Sequence, residues 1–169
     1  MIACPHCGSE NTEGSDICDQ CQHSLTDMSR PQPSSSVERS LLKDRIESLA
    51  SVPPLTVGPK APVGEVLKKM VDKSIGCVMV VEGDTLLGIF SERDALMKLN
   101  VDAARMSDQP ISSVMTAHPI TLTSKDNIAY ALHKMNVGGY RHVPIMTQGQ
   151  LTGVISIRDI LAYLTQQLG

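Results

Sequence analysis

The stretch Leu86-Leu87-Gly88-Ile89-Phe90-Ser91-Glu92-Arg93-Asp94-Ala95-Leu96 returns downstream as Leu151-Thr152-Gly153-Val154-Ile155-Ser156-Ile157-Arg158-Asp159-Ile160-Leu161. The offset that carries Asp94 onto Asp159 also carries Pro54 onto Pro119, Thr56 onto Thr121, Leu67 onto Leu132, Met70 onto Met135 and Val78 onto Val143. Residues from about 54 to 164 are therefore one unit written twice. A solenoid stacks at least about three such units. A pair related by a pseudo-two-fold axis is the economical arrangement, and it creates paired clefts between the copies.

Each copy reads in one order. A proline leads into a short strand (55–57; 120–122), then a helix (63–73; 126–136), two apolar strands (78–81 and 86–90; 143–146 and 151–155) and a final helix. The strand runs are rich in β-branched residues and bounded by turn residues at 82–84 and 148–150, which favours strand over helix. The fold class is α+β, built from two β-α-β-β-α repeats.

The 169 residues leave room for one medium domain and a small appendage. Aromatics supply only 2% and methionines number nine, so the core is aliphatic and thioether-filled, a composition that tolerates small rearrangements. A net charge of −3 argues against the broad basic face of a nucleic-acid binder. The chain shows neither a signal-peptide pattern nor an apolar run near the roughly 20 residues that span a bilayer. These features predict a cytoplasmic protein with no membrane partner.

Ahead of the repeats, Cys4-Pro5-His6-Cys7 and Cys18-Asp19-Gln20-Cys21 give paired C-x-x-C motifs. Such spacing lets two tight turns aim four sulfurs at one ion, the tetrahedral set that Zn2+ prefers. Gly8 helps the chain fold back beneath the metal, and Asn11, Gly14, Ser15 and Asp16 suit the tight turn between the pairs. Iron in the same four thiolates, or two disulfides, are the alternatives. His6 and His23 lie near enough in sequence to substitute as ligands, although four thiolates suffice. The segment 1–25 resembles a short zinc ribbon, and a closed site of this kind is structural.

Residues 26–36 are rich in Ser and Pro and read as a flexible tether, so the ribbon is expected to move independently. Over 37–50, Val37, Leu41, Leu42, Ile46 and Leu49 recur at helical spacing, predicting an amphipathic helix that docks on the repeats or serves as a dimer contact. The first repeat is placed at 51–110 and the second at 111–169.

Several motifs then agree in order and register: Ser-x-x-Asp after each second strand, Val114-Met115-Thr116 before the second copy, and Arg141-His142-Val143-Pro144-Ile145 on its middle strand. Residues 54 to about 165 resemble a tandem pair of CBS domains, named for cystathionine β-synthase and known as a Bateman module. The resemblance implies a non-catalytic regulatory module that binds an adenosine nucleotide or adenosyl compound (AMP, ADP, ATP or S-adenosylmethionine) between the repeats. It also implies a homodimer and a regulated partner protein that the sequence does not name.

The chemistry of that site follows from residue types. Ser91 and Ser156 stand where a strand gives way to a helix, so exposed N–H groups and the positive helix end favour an anion. Asp94 and Asp159 can each accept two charge-assisted hydrogen bonds from vicinal ribose hydroxyls. Ser-x-x-Asp is also a capping box, and both readings stand at this stage. Arg141 and His142 supply positive charge, while Tyr140, Val143 and Pro144 supply an apolar wall. The candidate principal site is thus Thr121, Tyr140, Arg141, His142, Val143, Pro144, Ser156, Arg158 and Asp159. A weaker one comprises Thr56, Gly76, Cys77, Val78, Ser91, Arg93 and Asp94, because Gly76 and Cys77 replace Arg141 and His142 and provide no cation. Arg93 and Arg158 read equally as solvated helix residues, and Cys77 as core. No nucleophile elbow, phosphate loop or open metal site marks an enzyme. The competing reading is an adaptor in which the ribbon grips a partner and the repeats dimerise without sensing a ligand.

Overall fold

Residues 1–12, 14–25, 35–49 and 52–168 are described by the structure, a computed structural model. In chain order the elements are β1 (Ile2–Ala3), β2 (Glu10–Asn11), α1 (Ser36–Lys43), β3 (Thr56–Val57), α2 (Val63–Asp72), β4 (Cys77–Glu82), β5 (Thr85–Ser91), α3 (Glu92–Asp94), β6 (Thr116–Ala117), α4 (Ile128–Gly138), β7 (His142–Thr147), β8 (Gln150–Ser156) and α5 (Ile157–Leu168). They fall into two compact units: Ser51–Leu122 with His142–Ile155, and Met1–Ala50 with Thr123–Arg141 and Ser156–Gly169. Most of the tether expected at 26–36 lies outside the described residues.

In the first of these units, β3 runs parallel to β4, and β4, β5 and β6 continue antiparallel in one four-stranded sheet. One face buries Val78, Val80 and Phe90 against Val63, Val66 and Met70 of α2 and against Ile111 and Val114. The other face presents Cys77, Met79 and Ile89, on which Leu151 and Val154 of β8 pack. Period-two alternation thus sends one set of side chains to the helix and the other to the hairpin of the second copy. That hairpin closes on Gln148 and Gly149, both with positive φ (51° and 81°), as a two-residue turn matching the twist of paired strands demands.

The duplication persists in backbone pairing. Val57 pairs with Val80 in the first copy, and Leu122 with Ile145 in the second, again in parallel. The strand expected at 120–122 is reduced to that single bridge. Beyond Asp94 the first copy departs further: Ala95–Leu99 winds as a π-helix instead of extending an α-helix. By contrast, α5 is regular over Ile157–Leu168.

Gly88 marks a close approach within this sheet. A Cβ there would meet the Met115 Sδ at 2.5 Å and the Thr116 carbonyl oxygen at 2.9 Å. Met115 can swing away, but the backbone of β6 cannot. Gly88→Ala is expected to destabilise the protein by about 1–3 kcal/mol, the usual range for overpacking, read as a lowered denaturation midpoint.

The second unit gathers α1, α4, α5 and the cysteine ribbon. Asn127 caps α4, its Oδ1 accepting from the Tyr130 N–H at 2.8 Å, and Gly139 ends it in the left-handed region at φ 64°. The helix expected over 37–50 stops at Lys43. Asp44 turns extended, Arg45 bridges Asn127, and Ile46–Ser48 forms a 3-10 turn that buries Ile46. The two pieces differ in burial: Val37, Leu41 and Leu42 of α1 are only half-buried, whereas Ile46 and Leu49 beyond the break are buried. The Tyr163 hydroxyl donates to Asp44 Oδ2 at 2.6 Å, fixing that corner to α5.

The ribbon does not stand apart as the tether's composition suggested. His6 and His23 stack at 5.4 Å between ring centroids, His23 meets the Tyr130 ring edge-on at 5.1 Å, and His6 Nδ1 lies 3.6 Å from Asp126 Oδ1. A polar tether reports only on itself; this aromatic contact is what seats the ribbon on α4. Among the described residues no helix is long and apolar enough to cross a membrane.

Candidate functional site

The two knuckles of the ribbon are built alike. The Gly8 N–H donates to the Cys4 carbonyl and the Gln22 N–H to the Cys18 carbonyl, both at 2.8 Å, and Gly8 and Gln22 each take positive φ (77° and 57°). These turns bring Cys4, Cys7, Cys18 and Cys21 Sγ within 4.8 Å of one another. The Cys4–Cys21 and Cys7–Cys18 separations are both 3.6 Å. Bonds of about 2.3 Å to a tetrahedral zinc require sulfur–sulfur edges of about 3.8 Å, so the cluster fits such an ion. All five cysteines of the chain are free, so neither expected alternative disulfide is formed.

Ser9 completes the cluster, its hydroxyl lying 2.9 Å from Cys7 Sγ and 3.1 Å from Cys18 Sγ. That hydrogen bond draws the Cys18 thiol down to about 5, whereas burial, reinforced by the neighbouring thiols, pushes Cys21 up to about 12. Four crowded sulfurs do not all ionise unaided. A divalent cation held by the four sulfurs would supply the charge that lets them do so.

The Ser-x-x-Asp motif caps a helix in both copies. The Ser91 N–H and hydroxyl donate to Asp94 Oδ2 at 2.9 and 2.7 Å, and the Asp94 N–H returns a bond to Ser91 Oγ at 3.3 Å. Their counterparts are 2.6, 2.8 and 3.4 Å between Ser156 and Asp159. The capping reading is therefore correct, and it consumes one carboxylate oxygen in each copy.

The second oxygen distinguishes them. Asp94 Oδ1 takes the Lys98 ammonium at 2.8 Å and the Thr116 hydroxyl at 2.7 Å. Burial alone would raise the Asp94 pKa; the bonds from Lys98, Ser91 and Thr116 outweigh it and hold the carboxyl below its ordinary value. Such a group contributes stability above its unfolded pKa that is lost as pH falls through the folded one. Lys98→Ala is expected to raise the Asp94 pKa, visible in a carboxyl NMR titration, and to move the onset of acid unfolding upward. At the position equivalent to Lys98 the second copy carries Tyr163, which is engaged with Asp44. Among the described residues Asp159 Oδ1, half-buried, has no hydrogen-bond or ion-pair partner. Lys98 and Thr116 were absent from the expected set, although the four-residue spacing of Asp94 and Lys98 was the signal for an ion pair.

The other expected residues are placed as follows. In one unit, Gly76 lies under the His142 imidazole, whose Cε1 and Nε2 are 2.8 Å from where a Cβ would stand. The first-copy and second-copy candidates at these two positions thus meet. Val78 and Val143 are fully buried, Pro144 is buried, and Thr56 and Thr121 are exposed. Leu122, next to Thr121, pairs with the segment 144–146. Cys77 is core, its thiol pushed up to about 12 by burial and then by Glu92. In the other unit, the Arg141 carbonyl accepts from the Ile157 N–H at 2.9 Å, as the Gly76 carbonyl does from the Glu92 N–H at 3.0 Å. That bond sets Arg141 beside the start of α5. Tyr140 folds over Gly138, and Arg93, Arg141 and Arg158 are exposed.

Comparison with known proteins agrees with this duplication. The family described as CBS domain matches residues 46–100 and 111–166. A CBS domain-containing protein of Arabidopsis thaliana (CBSCBSPB5) is 30% identical over 141 residues, covering 83% of this chain and 25% of its own length. An uncharacterised 17.7 kDa protein of Acidianus ambivalens is 29% identical over 74% of this chain and 78% of its own. The chain spans about a quarter of the Arabidopsis relatives. Among solved structures, a CBS-domain containing protein from Agrobacterium tumefaciens matches at TM-score 0.62 and 32% identity, covering 65% of this chain and 88% of that one. A CBS domain protein from Pyrobaculum aerophilum complexed with AMP matches at TM-score 0.62 and 28% identity, covering 73% and 99%. With two matched segments whose paired strands and capped helices repeat at one offset, the chain belongs to the CBS domain family and carries a tandem pair of its domains behind a four-cysteine ribbon.

Proposed function

We propose that the protein is a non-catalytic sensor whose second repeat binds an adenosine nucleotide or adenosyl compound, with Asp159 accepting the ribose hydroxyls. The observation that carries this reading is the contrast between the two carboxylates. Asp94 is saturated by Lys98 and Thr116, while Asp159 keeps one oxygen for a ligand. Arg141, beside the start of α5, and Arg158 are the cations nearest in sequence to serve a phosphate. The AMP complex of the Pyrobaculum relative supports the ligand class.

In this reading the ribbon holds Zn2+ in a structural site, the protein works as a homodimer, and ligand occupancy is passed to a partner protein. A ligand shifts such an equilibrium only by its differential affinity for the two states. A thermal-shift panel of AMP, ADP, ATP and S-adenosylmethionine tests the reading. A ligand present at about a hundredfold over its Kd stabilises the folded form by about 2.7 kcal/mol, a shift of several degrees. A flat response to all four compounds would favour the adaptor.

A further inference from the structure

We infer that the unit holding the ribbon, α1 and α4 carries a second small-molecule site, built for a compact phosphorylated anion and independent of Asp159. A cavity of about 430 Å3 lies there, a size ordinary for a metabolite pocket. Apart from the Cys4 thiol and the Tyr130 phenol, its ionisable lining is Lys43, Arg45, Lys125, Lys134, His23 and His133, with no aspartate or glutamate. This is a concentrated positive surface on a chain of net charge −3.

Among the described residues no ion pair involves Lys43, Arg45, Lys125 or Lys134. Like charges gathered around a concavity repel one another and focus the potential, so an anion is the counterion such a site selects. A divalent metal on four thiolates behind Cys4 would contribute about two negative charges, fewer than the four cations facing the cavity.

The site is also braced and has an organic-facing wall. The Arg45 guanidinium donates to the Lys125 carbonyl, fixing the loop that carries Lys125. Lys134 Nζ sits 5.1 Å above the centroid of the Tyr130 ring, which meets His23 edge-on. Lysines for phosphate oxygens beside an aromatic face suit a phosphorylated organic molecule.

The test is calorimetric titration of the full, metal-loaded chain with inorganic pyrophosphate, which has no ribose for Asp159 to hold. Wild type and Asp159→Ala are expected to bind it equally. The double substitution Lys43→Ala/Lys125→Ala, at two exposed positions, is expected to weaken binding at least about tenfold, a change of about 1.4 kcal/mol. Should that variant melt early, Lys125→Gln alone, which removes the charge but keeps a polar side chain, is expected to weaken binding measurably. Absence of pyrophosphate binding, binding indifferent to these lysines, or binding lost in Asp159→Ala would each overturn the proposal. Because the probe lacks a nucleoside, none of these outcomes decides whether Asp159 holds ribose.

Discussion

Stripping the metal with a strong chelator, or replacing Cys18 by serine, is expected to unfold residues 1–25 while the paired repeats stay folded. Structural zinc sites contribute roughly 10–16 kcal/mol of apparent binding free energy in finger peptides, and that binding is what folds them. The ribbon has little else to hold it. Its strands are two residues each, and its own core is Cys4, Cys18 and Leu25 with Ile2 and Cys21 packed alongside. Three of those five side chains belong to the four-cysteine cluster. The measurement is an amide NMR spectrum of the full chain with and without chelator, together with metal content. Dispersed ribbon resonances that collapse to random-coil positions, with a shift at Tyr130 as the His6 and His23 rings depart, are the expected result. A ribbon that keeps its dispersion without metal would remove the structural role. Visible iron–thiolate colour in the purified protein would replace zinc by iron.

Replacing Asp159 by alanine is expected to weaken AMP binding at least about 100-fold and to erase discrimination against an AMP analogue lacking both ribose hydroxyls. Each hydrogen bond to a charged group contributes roughly 1.5–3 kcal/mol, and 1.4 kcal/mol is tenfold in affinity. Removing the capping carboxylate also costs α5 some stability, about 1 kcal/mol for a lost cap. A pure capping role would therefore lower the melting temperature of Asp159→Ala while leaving the hydroxyl discrimination in place. Asp94→Ala is the control: its carboxylate is already spent on Lys98 and Thr116, so AMP affinity should be unchanged.

Much of the fold was legible because it is written twice. The strands read at 78–81, 86–90, 143–146 and 151–155 lie within the observed 77–82, 85–91, 142–147 and 150–156, and apolar spacing located the helices at 63–72, 128–138 and 157–168. What escaped was decided by single side chains and tertiary contacts. The 3-10 turn after Lys43 arises where Asp44 and Arg45 engage Tyr163 and Asn127, residues more than eighty positions away. The strand at 120–122 shrank to Leu122, although its apolar pattern matches that of the first copy. The docked ribbon depends on His6, His23 and Tyr130, whose meeting no periodicity encodes.

For the candidate site, the duplicated Ser-x-x-Asp located both carboxylates. In sequence the second copy stands ahead of the first because the first lacks the cations of Arg141 and His142. In the structure the copies differ at one further position, with Lys98 paired to Asp94 in one and Tyr163 at the matching place in the other. A shared motif locates a group; the partners around it determine whether that group is still available.

A crystal structure of the protein grown with AMP tests the central claim most directly. The account predicts ribose hydroxyls on Asp159 Oδ1, with Asp94 still paired to Lys98 and carrying no sugar. Ribose bound at Asp94, or AMP bound with Asp159 untouched, would contradict it.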